Sequence, residues 1–372
     1  MPNCGLARDG KRFLREVLVD SSASMAKSTS QPRRERVSLR AVADRAGVSV
    51  ATVSRVLSNS SHPVAAATRK RVMEASDSLG FRPNQLARAL VTARSQTVGV
   101  VVHDISDPYF GELVRGLEDG LRPHGYRLLV ASSDRDPARE LEYVRAFDGY
   151  QAEAIVFAAS ALEEPDYRRD LDELVGDFRA RGGVTILLSD HFLPGQGVHF
   201  DNRAAVSEMV SYLAGKGHER IGFIQGPGEL TVSRKRFAAY RETLDRLELP
   251  SDPTLVAEGN FSIQGGMAAA GQLLEFGHPS AILAANDLMA IGAIRALLDS
   301  GVRIPEDVSI AGFDDMPLAA FAPVPLTTMR VPVYDIGRRG AEMLAQLLDG
   351  ESPEDMVMTG EIVERASVAV RR

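Results

Sequence analysis

The stretch Ala43-Asp44-Arg45-Ala46-Gly47-Val48-Ser49-Val50-Ala51-Thr52-Val53-Ser54-Arg55-Val56-Leu57 decides how the amino-terminal part of this chain folds. It closes a short helix over 39–46, in which Leu39, Val42, Ala43 and Ala46 share one face at helical spacing. Ser38 is placed to cap that helix, because its hydroxyl can accept a backbone N–H that has no partner inside the helix. Gly47 suits the turn, where a positive φ is cheap only for glycine. Val48 plugs the small core, and Ser49 caps a second helix over 50–57. In that helix Val53, Val56 and Leu57 face inward, and Val50, Ala51, Ser54 and Arg55 face outward. Two short helices joined by a glycine turn form a helix-turn-helix, whose second helix is suited to enter the DNA major groove.

Working outward, a loop over 58–64 leads to a third helix over 66–79, with Val72, Met73, Ala75, Ser76 and Leu79 as its packing face. Gly80 ends it. Pro83 blocks continuation, and residues 84–91 form a further short helix carrying Leu86 and Leu90.

Charge separates this region from the rest. The 372-residue chain has a net charge of −7, which alone argues against a nucleic-acid partner. Residues 1–95, however, carry 17 Lys/Arg and 7 Asp/Glu, a net of +10, and the remainder carries 26 and 43, a net of −17. A basic head on an acidic body points to a DNA-binding module attached to something else. Its first 36 residues read as a disordered basic tail, in which Met25 is a second candidate for the true start. The apolar run over 13–19 is broken by Arg15 and Glu16, so it does not read as a secretory signal. Apolar residues make up 44% and charged residues 25%, enough for an ordinary core. No apolar run is long enough to span a membrane. Cys4, the one cysteine, excludes an internal disulfide framework and a cysteine zinc site. That usage fits a cytoplasmic protein.

From Thr97 onward, short apolar runs alternate with amphipathic helices. Strands are expected over 98–102, 126–131, 154–159, 184–188, 221–225, 281–284 and 308–313. Helices fall between them, at 110–121, 138–147, 203–215, 233–247, 265–276 and 287–300. Continuous apolar strands alternating with helices indicate α/β architecture with two parallel sheets, one per lobe. Ligands of such sheets bind beyond the carboxyl ends of the strands, and two lobes can turn those ends toward one cleft.

Both halves resemble one family. Residues 43–49 and 51–57 resemble the headpiece of the LacI/GalR transcription regulators, and residues 84–95 resemble their hinge helix. The body is similar to that family's sensor core, itself similar to periplasmic sugar-binding proteins. The matching segments are residues 98–110, Gly217-His218-Glu219-Arg220-Ile221-Gly222-Phe223-Ile224, Asn286-Asp287 with Ala290 and Gly292, residues 305–315, Pro325-Leu326-Thr327-Thr328 and Glu364-Arg365-Ala366-Ser367-Val368. The resemblance implies a cytoplasmic repressor. It would act as a homodimer on a pseudo-palindromic double-stranded operator, under allosteric control by a small, sugar-like effector. It further implies Val50 and Ala51 as base readers by thymine-methyl contact, Arg55 as a base or phosphate contact, and Ser54 on the same outward face. Ser38, Ser49, Thr52 and Asn59 are implied as phosphate contacts, although Ser38 and Ser49 can equally be caps alone. Leu90 is implied as the wedge that opens the central base step, its alternative being a buried packing leucine.

The same resemblance implies an effector site from Tyr109, Phe110, Ser160, Asp190, Arg236, Phe261, Asp287 and Asp314. Flat aromatic faces suit sugar C–H surfaces, and Arg and Asp serve hydroxyls in opposite senses. Leu230 and Val232 stand where the purine-binding branch of the family has polar residues, which argues against a purine. The implied domains are a tail over 1–36, a helix-turn-helix over 37–82, a hinge and linker over 83–96, and a core over 97–372. Within the core, the first lobe takes 97–195 and 328–350 and the second 196–327 and 351–372.

Two other readings compete. A glycoside hydrolase would use two carboxylates a set distance apart, for which Asp314-Asp315, Asp287 and Asp190 are the candidates. Adjacent Asp314 and Asp315 point apart, and no phosphate loop, metal-spaced His cluster or nucleophile elbow occurs. No catalytic residue, cofactor or metal is therefore expected. A sugar-binding transport-type protein would share the sensor fold but needs a secretion signal and no DNA head.

Overall fold

The computed structural model of the chain describes residues 37–57, 62–81 and 95–371. These fall into a small helical unit and a large α/β unit. Asn59, Leu90 and the expected hinge helix lie outside the described residues.

The small unit holds α1 (Leu39–Ala46), α2 (Val50–Leu57) and α3 (Ala66–Leu79). Ser38 Oγ accepts the Ala41 N–H at 3.2 Å. Gly47 ends α1 in the left-handed region, at φ +64°. Ser49 Oγ accepts the Thr52 N–H at 3.1 Å and so caps α2. Ala65 precedes α3 and gives no side-chain cap. Val42, Ala43, Ala46, Val53, Val56, Val72 and Ala75 form the core, with Val48, Leu57 and Leu79 against its edge. Leu39 and Met73 depart from expectation: they are 37% and 45% exposed. Three short helices enclose a narrow core, so residues at the margin of each apolar stripe are left in solvent.

The first lobe of the large unit is a parallel sheet in the order β2-β1-β3-β4. Its strands are β1 (Thr97–Val102), β2 (Arg127–Ser132), β3 (Ala154–Phe157) and β4 (Val184–Leu187). The helices α4 (Pro108–Leu121), α5 (Pro137–Gly149) and α6 (Pro165–Ala180) connect them. Strand β1 is buried along five of its six residues because helices cover both faces. Short β5 (Val198–Phe200) then leads into α7 (Asn202–Gly215) of the second lobe.

The second lobe continues with β6 (Ile221–Gln225), α8 (Thr231–Arg246), β7 (Val256–Glu258), α9 (Ile263–Gln272), β8 (Ala281–Ala284), α10 (Asp287–Asp299), β9 (Ser309–Asp314) and β10 (Thr327–Arg330). The chain returns to the first lobe as α11 (Val333–Leu348), then forms β11 (Met356–Met358) and β12 (Glu361–Val363). The second sheet runs β12-β10-β9-β8-β6-β7. It is not wholly parallel as expected, because β12 pairs antiparallel with β10 at its edge. β5 and β11 pair in parallel where the chain passes between lobes.

Helix α11 packs closely on α4. A Cβ on Gly116 would lie 2.1 Å from the Tyr334 carbonyl oxygen, and one on Gly337 2.1 Å from that of Leu113. Only glycine allows that approach. The lobe boundary expected at 328 falls inside β10, which pairs with β9 from Thr327 to Arg330. That unbroken pairing keeps the chain in the second lobe until after Arg330.

Candidate functional site

In the small unit, the residues singled out for DNA contact surround the start of α2. Ser38, Ser49, Val50, Ala51 and Arg55 are exposed, and Thr52 and Ser54 are half-buried. Val50 is 44% exposed although apolar, so nothing in its own unit covers the face it presents. Ser49 and Thr52 share a hydrogen bond of 2.9 Å between their hydroxyls. Whichever donates, the pair keeps one O–H to offer outward. Capping and an external contact are thus compatible for Ser49.

In the large unit, a cleft of about 700 Å³ lies between the lobes. Its walls come from the carboxyl ends of the strands in both sheets. His103 follows β1, Arg135 follows β2, Ser160 follows β3, and Ser189 and Asp190 follow β4. From the second lobe come Leu230 and Val232 after β6, Phe261 after β7, Asn286 after β8 and Asp314 at the end of β9. Asp107 caps α4 by accepting the Tyr109 N–H at 3.0 Å, which starts the helix at the cleft and turns Tyr109 and Phe110 into it. The Tyr109 and Phe110 rings meet edge to face at 5.3 Å.

Arg236, on α8, is the centre of the polar wall and is 6% exposed. Its Nε donates to Asn202 Oδ1 at 2.8 Å, and its Nη1 donates to the Ala285 carbonyl. The guanidinium lies 3.9 Å from the centre of the Phe313 ring. Its Nη2 is 3.8 Å from Asp314 Oδ1, an ion-pair separation too long for a hydrogen bond. Burial pushes the Asp314 carboxyl well above the usual carboxylate range, opposed by Arg236. Asp314 also holds φ at +110°, a conformation that non-glycine residues rarely adopt. Asp190 takes Lys235 Nζ at 2.5 Å and Asn202 Nδ2 at 3.2 Å. Donors and acceptors therefore alternate along one wall and aromatic faces line another, a combination that orients a polyhydroxylated molecule.

Tyr109, Phe110, Ser160, Asp190, Arg236, Phe261 and Asp314 are brought together at this cleft, and Asp287 is not. Asp287 is fully buried; it accepts the Met316 N–H at 2.7 Å and the Thr328 hydroxyl at 2.6 Å. Burial raises its pKa to about 7. Three residues past the end of β8 it has turned under the β9–β10 connection, and Asn286, one residue earlier, takes the cleft position. Asn286 Nδ2 donates to the Phe261 carbonyl at 3.3 Å and its Oδ1 caps α10. Sequence reasoning missed Asn286, Asn202, His103 and Arg135, although His103 and Arg135 obey the strand-end rule that found the others.

The lobes also meet directly. Leu162 and Leu230 form an antiparallel bridge. Beside it Glu163 N–H donates to Glu229 O at 3.0 Å and Thr231 N–H to Ala161 O at 3.1 Å. The Thr231 hydroxyl lies 2.8 Å from Ala161 O and 3.1 Å from Asp190 O. Leu230 is fully buried within the apolar cluster of the first lobe.

Comparison with known proteins gives two matching families. "Bacterial regulatory proteins, lacI family" matches residues 38–84, and "Periplasmic binding protein-like domain" matches residues 210–368. The chain is 32% identical over 331 residues to the HTH-type transcriptional regulator DegA of Bacillus subtilis (strain 168), covering 88% of this chain and 97% of that one. Among solved structures it is similar to the lac repressor dimer bound to operator and the anti-inducer ONPF. There the TM-score is 0.79 and the identity 26%, over 90% of this chain and all of that one. It is also similar to a transcriptional regulator CelR–cellobiose complex, with a TM-score of 0.65 and 30% identity over 89% of this chain and all of that one.

Proposed function

The chain belongs to the LacI family of bacterial regulatory proteins, and from that premise we propose that it is a ligand-controlled repressor whose effector is a sugar or sugar derivative held in the interlobe cleft. The observation that carries the reading is the wall of Arg236, Asp314, Asn202 and Asp190 facing Tyr109, Phe110 and Phe261. The cellobiose-bound relative supports the ligand class. Val50 and Ala51 read the major groove, Arg55 contacts base or phosphate beside Ser54, and Ser38, Ser49 and Thr52 hold phosphates. Asn59 and the Leu90 wedge complete the interface in this reading. The protein works as a cytoplasmic homodimer on a two-fold symmetric operator, and it is not an enzyme.

The mechanism follows from the cleft. Ligand bridges side chains of both lobes, so its affinity depends on their relative position. That position sets the spacing of the two DNA-binding heads in the dimer. A ligand shifts operator affinity only by its differential affinity for the two arrangements. Calorimetry against a panel of sugars tests the site: a binder is expected whose affinity falls at least tenfold in Arg236→Gln. A binder indifferent to Arg236→Gln and Asp314→Asn would refute the assignment.

A further inference from the structure

The first-lobe wall of the cleft carries polar atoms that the polyol reading does not use. Arg135 Nε and Ser189 Oγ are buried and lack a hydrogen-bond partner among the described residues, and the buried His103 ring has at most the Ser160 backbone as a partner, leaving at least one ring nitrogen unpaired. All three side chains line the cleft, and His103 is 4% exposed. Buried polar groups are normally satisfied, so a cluster of orphans in a ligand cleft calls for an occupant. The cluster is rich in donors: a guanidinium N–H, a hydroxyl and one N–H of a neutral imidazole.

Charge accounting sharpens this. Asp190 is paired with Lys235, and Asp314 with Arg236. Around Arg135, Asp104 accepts the Ser106 N–H at 2.8 Å, Asp107 accepts that of Tyr109, and Asp134 pairs with Arg139; Arg135 acts on Asp104 and Asp107 only through space. Asp136 accepts the Ala138 N–H at 2.9 Å and lies 3.6 Å from Arg139 Nε. Among the described residues no carboxylate lies within ion-pair distance of Arg135. Its guanidinium instead stands 5.7 Å from the ring centre of Phe261, a residue of the opposite lobe. The backbone that delivers it is unusual: Asp134 and Arg135 hold φ at +53° and +60° in succession, without a glycine. Such conformations persist where the surroundings enforce them and gather at functional sites.

We propose that the cleft ligand carries an anionic group, a carboxylate or a phosphate, that docks against Arg135 and His103 on the first-lobe wall while its hydroxyls engage Arg236 and Asp314. This rests on the cleft being the ligand site. A hydroxyl oxygen accepts from two donors at most; an anion accepts from several and supplies the direct ion-pair partner that Arg135 lacks among the described residues. The ligand class is then a sugar acid or a sugar phosphate.

The test uses the full chain with inorganic phosphate and with acetate, each titrated against chloride at equal ionic strength. Calorimetry and thermal unfolding are read for the wild type, Arg135→Gln and Arg135→Lys. At least one anion is expected to bind the wild type saturably. Arg135→Gln is expected to lose roughly tenfold or more in affinity, and Arg135→Lys to keep part of it. Anion binding to the basic head is common to all three chains and cancels. Preference for phosphate assigns a phosphorylated ligand, and preference for acetate a carboxylated one. Absence of saturable binding to the wild type, or equal binding by Arg135→Gln, overturns the inference. If neutral sugars bind in an Arg236-dependent way and neither anion binds, this inference fails and the cleft remains the ligand site. If no ligand responds to Arg236, the reading beneath it fails as well.

Discussion

Leu230 is carried by the second lobe yet lies fully buried in the apolar cluster of the first, bridged to Leu162. The contact places a second-lobe side chain where its burial depends on the lobes being together. The backbone bonds beside it, from Glu163 to Glu229 and from Thr231 to Ala161, fix the same juxtaposition. Closure of this cleft is therefore supported by the chain's own contacts as well as by whatever the cleft holds.

Truncating that contact is expected to loosen the lobes. Leu230→Ala should cost about 2–4 kcal/mol in denaturant unfolding and weaken ligand binding, with Leu230→Met close to wild type. A larger radius of gyration by small-angle scattering should accompany the alanine variant. Unchanged scattering and affinity would remove the coupling role of Leu230.

The Arg236–Asp314 pair is predicted to be needed for both folding and binding. Removing Arg236 leaves the Asp314 carboxyl buried without its cation, where it must bear an uncompensated charge or take up a proton, so Arg236→Met should destabilise by about 3–5 kcal/mol. The double variant Arg236→Met/Asp314→Leu should recover much of that stability without recovering ligand affinity. Chemical denaturation together with calorimetry separates the two effects.

Asp287 supplies the contrast. Asp287→Ala leaves the Met316 N–H and the Thr328 hydroxyl without their acceptor, each costing about 1–3 kcal/mol. Stability should fall, while the ligand affinity of the folded fraction should change much less than in Arg236→Gln. An equal loss of affinity would return Asp287 to the binding site.

Acid sensitivity follows from His103, whose pKa is lowered from 6.5 to about 3, first by burial and then by Arg135. The folded state takes up fewer protons than the unfolded chain between those values. Stability from this group is therefore complete above pH 6.5 and lost as pH falls toward 3. At pH 5 the loss is about 2 kcal/mol. The buried carboxyls of Asp287 and Glu140, both raised to about 7, act in the opposite sense. The wild type and His103→Phe share them; His191, also lowered to about 3 by burial and then by His103, acts in the same sense as His103, so the difference between the two pH profiles reads His103 together with its part in the His191 shift. Thermal unfolding from pH 7 to pH 5 should show a smaller loss for His103→Phe.

Much of this was legible in the sequence for local reasons. Gly47 and Ser49 fix the turn by backbone geometry and capping, and α2 spans the residues its pattern indicates. The alternation beyond Thr97 gives central strands such as β1 and β3, whose apolar runs are covered on both faces; the edge strand β2 is exposed or half-buried along its length, and short β5, β7, β10, β11 and β12 carry no comparable run. Burial within the small unit was less legible. Periodicity assigns Leu39 and Met73 to the inner face but does not say how wide the core beneath them is. Asp287 shows the limit of the strand-end rule, since a shift of one residue at a helix start exchanged it for Asn286. Leu230 was noted as an apolar residue in a polar position, but its partner Leu162 is distant in sequence and only the fold joins them.

The central claim is that one chain couples an interlobe ligand to operator binding by its basic head. The direct measurement is fluorescence anisotropy with a pseudo-palindromic duplex recovered by selection on the full chain, with and without a cleft ligand found by calorimetry. The account predicts affinity roughly a thousandfold or more above that for a scrambled duplex, falling steeply with salt. Ligand should shift it by about fivefold or more, a shift abolished in Arg236→Gln. Equal affinity for both duplexes, or an operator affinity that saturating ligand leaves unchanged, would contradict it.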